Sequence, residues 1–282
     1  MKIPLWRRII NIVLIFVCFA ILVFSLQNSI IFHPYKLSAP PELPKSTGLN
    51  WEHHVFKNDK GNNISAVFVR HQNSTESASL PVILFSHGNA GNVTHRFGKM
   101  LIIASLPVDI FAFDYRGFGF SEGSPSVEGT INDGLSTLKF LKEKFGIDSD
   151  KVILYGESIG TGVSVSLAQR IGWKIAGLVL ESGFSSLKAR AAVKIPVIGP
   201  LILTQNYPSD TLLKEYNGPL LVIHSKADDV NPFSDGEVLF NVCPSKSKYL
   251  AAFEKYGHND PMSEDPGYTK AWSEFLKVLS SS

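Results

Sequence analysis

The chain has 282 residues, 44% of them hydrophobic and 18% charged, with a formal net charge of +2. That is ample core for one large α/β domain, and so small a charge gives no bias toward polyanions, which sets nucleic acid aside as a partner. The two cysteines, Cys18 in an apolar segment and Cys243 far from it, do not read as a structural bridge.

Residues 9–26, IINIVLIFVCFAILVFSL, are almost unbroken apolar sequence after Lys2, Arg7 and Arg8. A stretch of that length can just span a bilayer. No A-x-A-like site closes the run, so an uncleaved transmembrane signal anchor is favoured over a removed signal peptide. Only Lys36 and Lys45 follow soon after, and the charge difference predicts a cytosolic N-terminus with a lumenal or periplasmic catalytic domain. In a lumenal setting the N-x-[ST] sequons at Asn63, Asn73 and Asn92 would be glycosylation acceptors.

Residues 27–50 carry Pro34, Pro40, Pro41 and Pro44 and read as a non-helical linker to a domain over 51–282. Two strand-like runs, Trp51 to Phe56 and Ile64 to Val69, flank NDKGNN, a hairpin turn. From Pro81 onward short buried-type strands alternate with helical segments. Strands are expected at Val82–Ser86, Ile110–Phe113, Val152–Tyr155, Leu178–Leu180, Leu220–His224 and Lys248–Phe253. Helices are expected near Thr94–Ala104, Val127–Phe145, Ile159–Ile171, Pro232–Asn241 and Gly267–Leu279. The alternation predicts a mostly parallel central sheet flanked by helices, with its site at the carboxyl ends of the strands.

The groups that carry chemistry obey that rule. SHGNAGN, Ser86 to Asn92, follows a strand and makes a tight turn able to present the backbone N–H of Asn89 or Ala90. Gly156-Glu157-Ser158-Ile159-Gly160 spells a nucleophile elbow, in which a strained strand-to-helix turn projects the serine Oγ and small neighbours let backbones close in. The N–H of Ile159, at the start of the next helix, would face the loop donor across an acyl oxyanion. Phe184 to Asn217 is an insertion suited to a short cap, whose apolar run Ile195 to Leu203 faces an acyl chain, a bilayer or simply the sheet. Asp228 follows the strand LLVIHS and His258 follows KYLAAFEK, in the order Ser, Asp, His expected of this architecture. Asp229 and Glu181 are rivals for the acid; Asp229, nearer the next helix, reads as its cap. Glu157 reads as support beneath the elbow, and His87 as a turn residue.

Taken together, FSHGNAGN, FDYRGFGFSEGSPS, LYGESIGTG, ADDVNPF and YGHND resemble the α/β-hydrolase superfamily over about residues 50 to 280. More narrowly the chain resembles the abhydrolase-domain group of the fungal bud-emergence suppressor proteins and their animal homologues. The resemblance implies a triad of Ser158, Asp228 and His258 with oxyanion donors at Asn89 and Ile159; no cofactor and no metal are expected. It also implies hydrolysis of esters or thioesters, with relatives that remove palmitoyl groups from proteins. One departure is Asn231, which stands where such chains usually carry Val before the proline.

The function expected is a membrane-anchored serine hydrolase acting on a small-molecule or lipid-like acyl substrate. A non-catalytic scaffold on the same fold is the alternative of a different class. A serine peptidase or acyltransferase shares the first chemical step, and the motifs do not separate ester, thioester and amide donors.

Overall fold

A computed structural model describes residues 4–45, 47–71, 80–196 and 198–280; the Asn73 sequon lies outside them. The chain opens with a helix, α1 (Leu5–Ile31), then a two-residue strand, β1 (His33–Pro34), and the hairpin β2 (Asn50–Lys57) and β3 (Asn63–Arg70). Next come β4 (Val82–Ser86), the short β5 (Ala90–Gly91), α2 (Phe97–Ile103), β6 (Asp109–Phe113) and α3 (Val127–Phe145). The elbow joins β7 (Val152–Glu157) to α4 (Ile159–Arg170), and β8 (Gly177–Glu181) leads into three short helices, α5 (Leu187–Lys194), α6 (Ile198–Ile202) and α7 (Ser209–Leu212). The chain closes with β9 (Leu220–Ser225), α8 (Phe233–Val242), β10 (Lys248–Phe253) and α9 (Pro266–Ser280).

Eight strands form one sheet in the order β10-β9-β8-β7-β4-β6-β3-β2. Pairing is antiparallel at β2–β3 and β3–β6 and parallel from β6 to β10. The central strands are buried on both sides, which is why VILFS and VILYG read as continuous apolar runs rather than alternating ones. Their alternate side chains enter two cores. Leu84, Phe111 and Leu154 pack with Val163 and Leu167 of α4 and Leu141 of α3. Ile83, Ile110 and Ile153 pack with Met100 of α2 and with Trp272 and Phe275 of α9. Helix α3 starts where Ser126 Oγ accepts the Gly129 N–H and stops at Gly146, in the left-handed region at φ 68°.

The parallel register aligns the carboxyl ends of β4, β7, β9 and β10 on one edge, so the loops after them converge there. The RGFG turn after β6 is structural: Arg116 donates to Asp133 at 2.8–3.1 Å and to Asp59 at 2.6 Å.

The N-terminus requires a correction. Among the described residues no helix is long and apolar enough to cross a membrane, which overturns the transmembrane anchor expected over 9–26, the tether through it and the lumenal or periplasmic placement. The helix also runs beyond the apolar stretch into the body of the domain. Gln27 near its end is 6% exposed, and Phe32 just after it is 2% exposed. Of the sequons, Asn92 is buried and caps a 3-10 turn by accepting the Thr94 N–H, so packing excludes a glycan there.

Candidate active site

Ser158 sits between β7 and α4 at φ 53°, ψ −117°, a conformation L-residues rarely hold, and this turns its side chain out of the sheet edge. The strain is held by its neighbours. The Ser158 N–H donates to Glu181 C=O at 2.8 Å, and the Thr161 hydroxyl donates to Ser158 C=O at 2.6 Å. Glycine is required on both sides: a Cβ on Gly156 would lie 2.3 Å from Gly160 O, and one on Gly160 would lie 1.9 Å from Ser86 O.

Ser158 Oγ lies 2.9 Å from His258 Nε2, and His258 Nδ1 lies 2.9 Å from Asp228 Oδ2. A carboxylate can only accept, so the imidazole proton resides on Nδ1 and Nε2 is left to accept from the serine hydroxyl. The other Asp228 oxygen accepts the N–H groups of Val230 at 2.9 Å and Asn231 at 2.8 Å. Burial opposes the charge of Asp228, but hydrogen bonds from His224, His258 and the Asn231 N–H, with the His258 ring adding its charge when protonated, outweigh it and hold the carboxyl well below the usual range.

The rivals for the acid have other work. Glu181 is buried with Lys99 Nζ at 2.5 Å and accepts the hydroxyls of Tyr155 at 2.6 Å and Tyr268 at 2.7 Å. Asp229 does not cap α8, whose start lacks a side-chain cap; its Oδ1 accepts the backbone N–H of His258 at 3.0 Å. Glu157 lies under the elbow against Arg96 at 2.9 Å and Lys99 at 2.7 Å. Its burial opposes ionisation, yet the Lys99 and Arg96 charges pull its pKa down. His87 is buried with Nδ1 2.7 Å from Gly88 O, inside the turn.

Sequence reasoning missed His224. Fully buried at the end of β9, it places Nε2 2.9 Å from Asn231 O and 3.5 Å from Asp228 Oδ2. The close approach of Gly236, where a Cβ would lie 2.5 Å from His224 Nδ1, leaves that ring its place. The i,i+4 spacing to Asp228 was its only signal, and a strand-terminal histidine is ordinarily read as core.

Asn89 and Ile159 border the same cavity as Ser158 and His258, a space of about 1140 Å³. Its lining includes apolar side chains from Ile30 and Ile31 at the end of α1 to Leu187, Ile195 and Leu203 in the segment after β8. Ile159 opens α4, so its N–H belongs to the first turn, which has no intrahelical acceptor. Among the described residues no cluster of His, Cys, Asp and Glu is arranged to hold a metal ion.

Comparison with known proteins agrees with this architecture. The chain is 33% identical to protein bem46 of Schizosaccharomyces pombe over 208 residues, 72% of this chain and 69% of that one. Residues 81–198 match the family described as alpha/beta hydrolase fold. The chain belongs to the α/β-hydrolase family. The chain is also similar to the uncharacterized protein YfhR of Escherichia coli O157:H7, 28% identical over 214 residues, 75% of each chain. Among solved structures the hydrolase fold is shared with the Pyrococcus furiosus esterase Pf2001, at a TM-score of 0.68 and 16% identity over 87% of this chain and 98% of that one. The esterase domain of a Rhodothermus marinus protein follows at a TM-score of 0.61 and 14% identity, over 82% of this chain and 99% of that one. At such identity the two structures speak for the fold.

Proposed function

We propose that this α/β hydrolase is a serine hydrolase that cleaves a carboxylic ester or thioester through an acyl-enzyme on Ser158, with His258 as base and Asp228 as its orienting acid. The observation that carries this reading is the unbroken line of contacts, 2.9 Å at each step, from Ser158 Oγ through His258 to Asp228 at a strained elbow. A non-catalytic scaffold would have no reason to keep that strain and alignment.

In the first half-reaction Ser158 Oγ bonds to the acyl carbon as its proton passes to His258 Nε2. The carbonyl electrons move onto oxygen, and the N–H groups of Asn89 and Ile159 receive the oxyanion. Collapse breaks the bond to the leaving alcohol or thiol, which takes the proton from His258. Water then repeats the sequence against the acyl-enzyme, giving its proton to His258 and releasing the acid with Ser158 restored. Asp228 stays ionised throughout, stabilising the imidazolium. The apolar part of the cavity lining suits the acyl portion of a small-molecule or lipid-like substrate.

The test is labelling of the purified protein by a fluorophosphonate, with the modified peptide identified by mass spectrometry. Wild type should carry the probe on Ser158, Ser158→Ala none, and His258→Ala far less. A folded wild-type protein that stays unlabelled would sink the reading.

A further inference from the structure

The segment that follows the apolar stretch is no passive connection. The Asn89 side chain is clasped at two points by the end of α1: its Nδ2 donates to Ile31 C=O at 2.7 Å, and its Oδ1 accepts the His33 N–H at 3.1 Å. Ile31 is the last residue of α1, so its carbonyl lacks an intrahelical partner and Asn89 supplies one. The contact continues along the loop. Strands β1 and β5 pair in parallel, His33 with Ala90 and Pro34 with Gly91. Tyr35 N–H donates to Gly91 C=O at 3.3 Å, and Asn92 Nδ2 donates to Tyr35 C=O at 3.1 Å.

The other side of α1 is braced against the segment after β8. Gln27 Nε2 donates to Thr204 Oγ1 at 2.9 Å, the Thr204 N–H returns to Gln27 Oε1 at 3.3 Å, and Gln205 bonds Asn28. Gln205 in turn accepts the Val127 N–H at the start of α3, at 2.8 Å. The end of α1 is thus a strut between the body of the fold and the loop that carries Asn89.

We infer that Asn89 is a positioning residue whose side chain, held on the end of α1, aims its own backbone N–H at the oxyanion, so that residues 31–33 belong to the oxyanion hole. This rests on the serine-hydrolase reading above. An oxyanion donor contributes only when it is fixed before the charge develops, and a free loop would lose that preorganisation while still binding substrate. The clasp therefore acts on turnover more than on binding.

The experiment uses the full chain and p-nitrophenyl esters, comparing wild type, Asn89→Ala and His33→Pro. The second variant deletes the backbone donor together with an exposed imidazole, and Phe32 before it already has the extended conformation a following proline prefers, at φ −108°, ψ 133°. For Asn89→Ala the expected result is a fall in kcat of about 10- to 100-fold with KM within about threefold, and a parallel loss of affinity for a phenylboronic acid that mimics the oxyanion. His33→Pro should show the same pattern, weaker. The inference is overturned by kcat near wild type in folded Asn89→Ala, or by kcat and KM drifting together with a lowered thermal midpoint, the mark of a merely structural tie. If Asn89→Ala does not fold, His33→Pro decides by the same criteria. Wild type that turns over no ester at Ser158 overturns this inference together with the reading beneath it, whereas active wild type beside an unaffected variant overturns this inference alone.

Discussion

Asp229 Oδ1 accepts the backbone N–H of His258 at 3.0 Å, while the neighbouring Asp228 holds the same residue's ring at 2.9 Å. Two consecutive carboxylates thus fix one histidine, one through its main chain and one through its imidazole. Asp228→Asn should lower kcat by about 10³- to 10⁴-fold, because an amide facing Nδ1 favours the wrong tautomer. Asp229→Asn keeps an acceptor for the His258 N–H and should stay close to wild type. Steady-state kinetics on one ester separate the two, and an equal loss in both would reopen the choice of acid.

The elbow tolerates no side chain at Gly160, where a Cβ would meet Ser86 O at 1.9 Å. Gly160→Ala should cost about 3 kcal/mol or more, since the clash is with backbone rather than a movable side chain. Denaturant unfolding measures it; a cost under about 1 kcal/mol would mean that the elbow relaxes freely.

Acid should destabilise the fold through two carboxylates. Asp228 and Glu157 both have folded pKa values below their ordinary ones, so between the two values the folded state binds fewer protons than the unfolded chain. Their contribution is complete above the unfolded values, about 4 to 4.5, and is lost as pH falls through the folded ones. Thermal midpoints should fall from pH 5 to pH 3, and Glu157→Gln should flatten that slope. An unchanged slope in the variant would show that the Lys99 and Arg96 contacts do not stabilise the folded carboxylate.

The apolar lining of the cavity should set acyl length. Leu203 and Ile30 belong to it, and Leu203→Trp fills space that a longer chain would occupy. The ratio of kcat/KM for octanoyl over acetyl esters should drop by about tenfold or more. A ratio that does not move would place the acyl chain elsewhere in the cavity.

Much of the fold was legible because it follows from local rules. Continuous apolar runs such as VILFS and VILYG mark strands covered on both faces, and each expected strand of the central sheet falls within a residue or two of its place. The N-terminal segment misled for a related reason. Hydropathy sees the helix over 9–26 but not that it continues to Ile31, nor that Gln27 and Asn28 engage Thr204 and Gln205 across 177 positions. Asp229 misled as well, since an aspartate before a helix usually caps it, and here a histidine far along the chain claims its oxygen.

By itself the sequence determined the hydrolase architecture and the spelling of the elbow, because strand and helix periodicity and the need for glycine beside Ser158 are set within a few residues. Only the tertiary structure decided that Glu181 is spent on Lys99 and two tyrosines, that His224 backs Asp228, and that the end of α1 grips Asn89. Those pairings join residues remote along the chain, and which polar groups meet is settled by packing that brings strand ends and loops to one edge of the sheet.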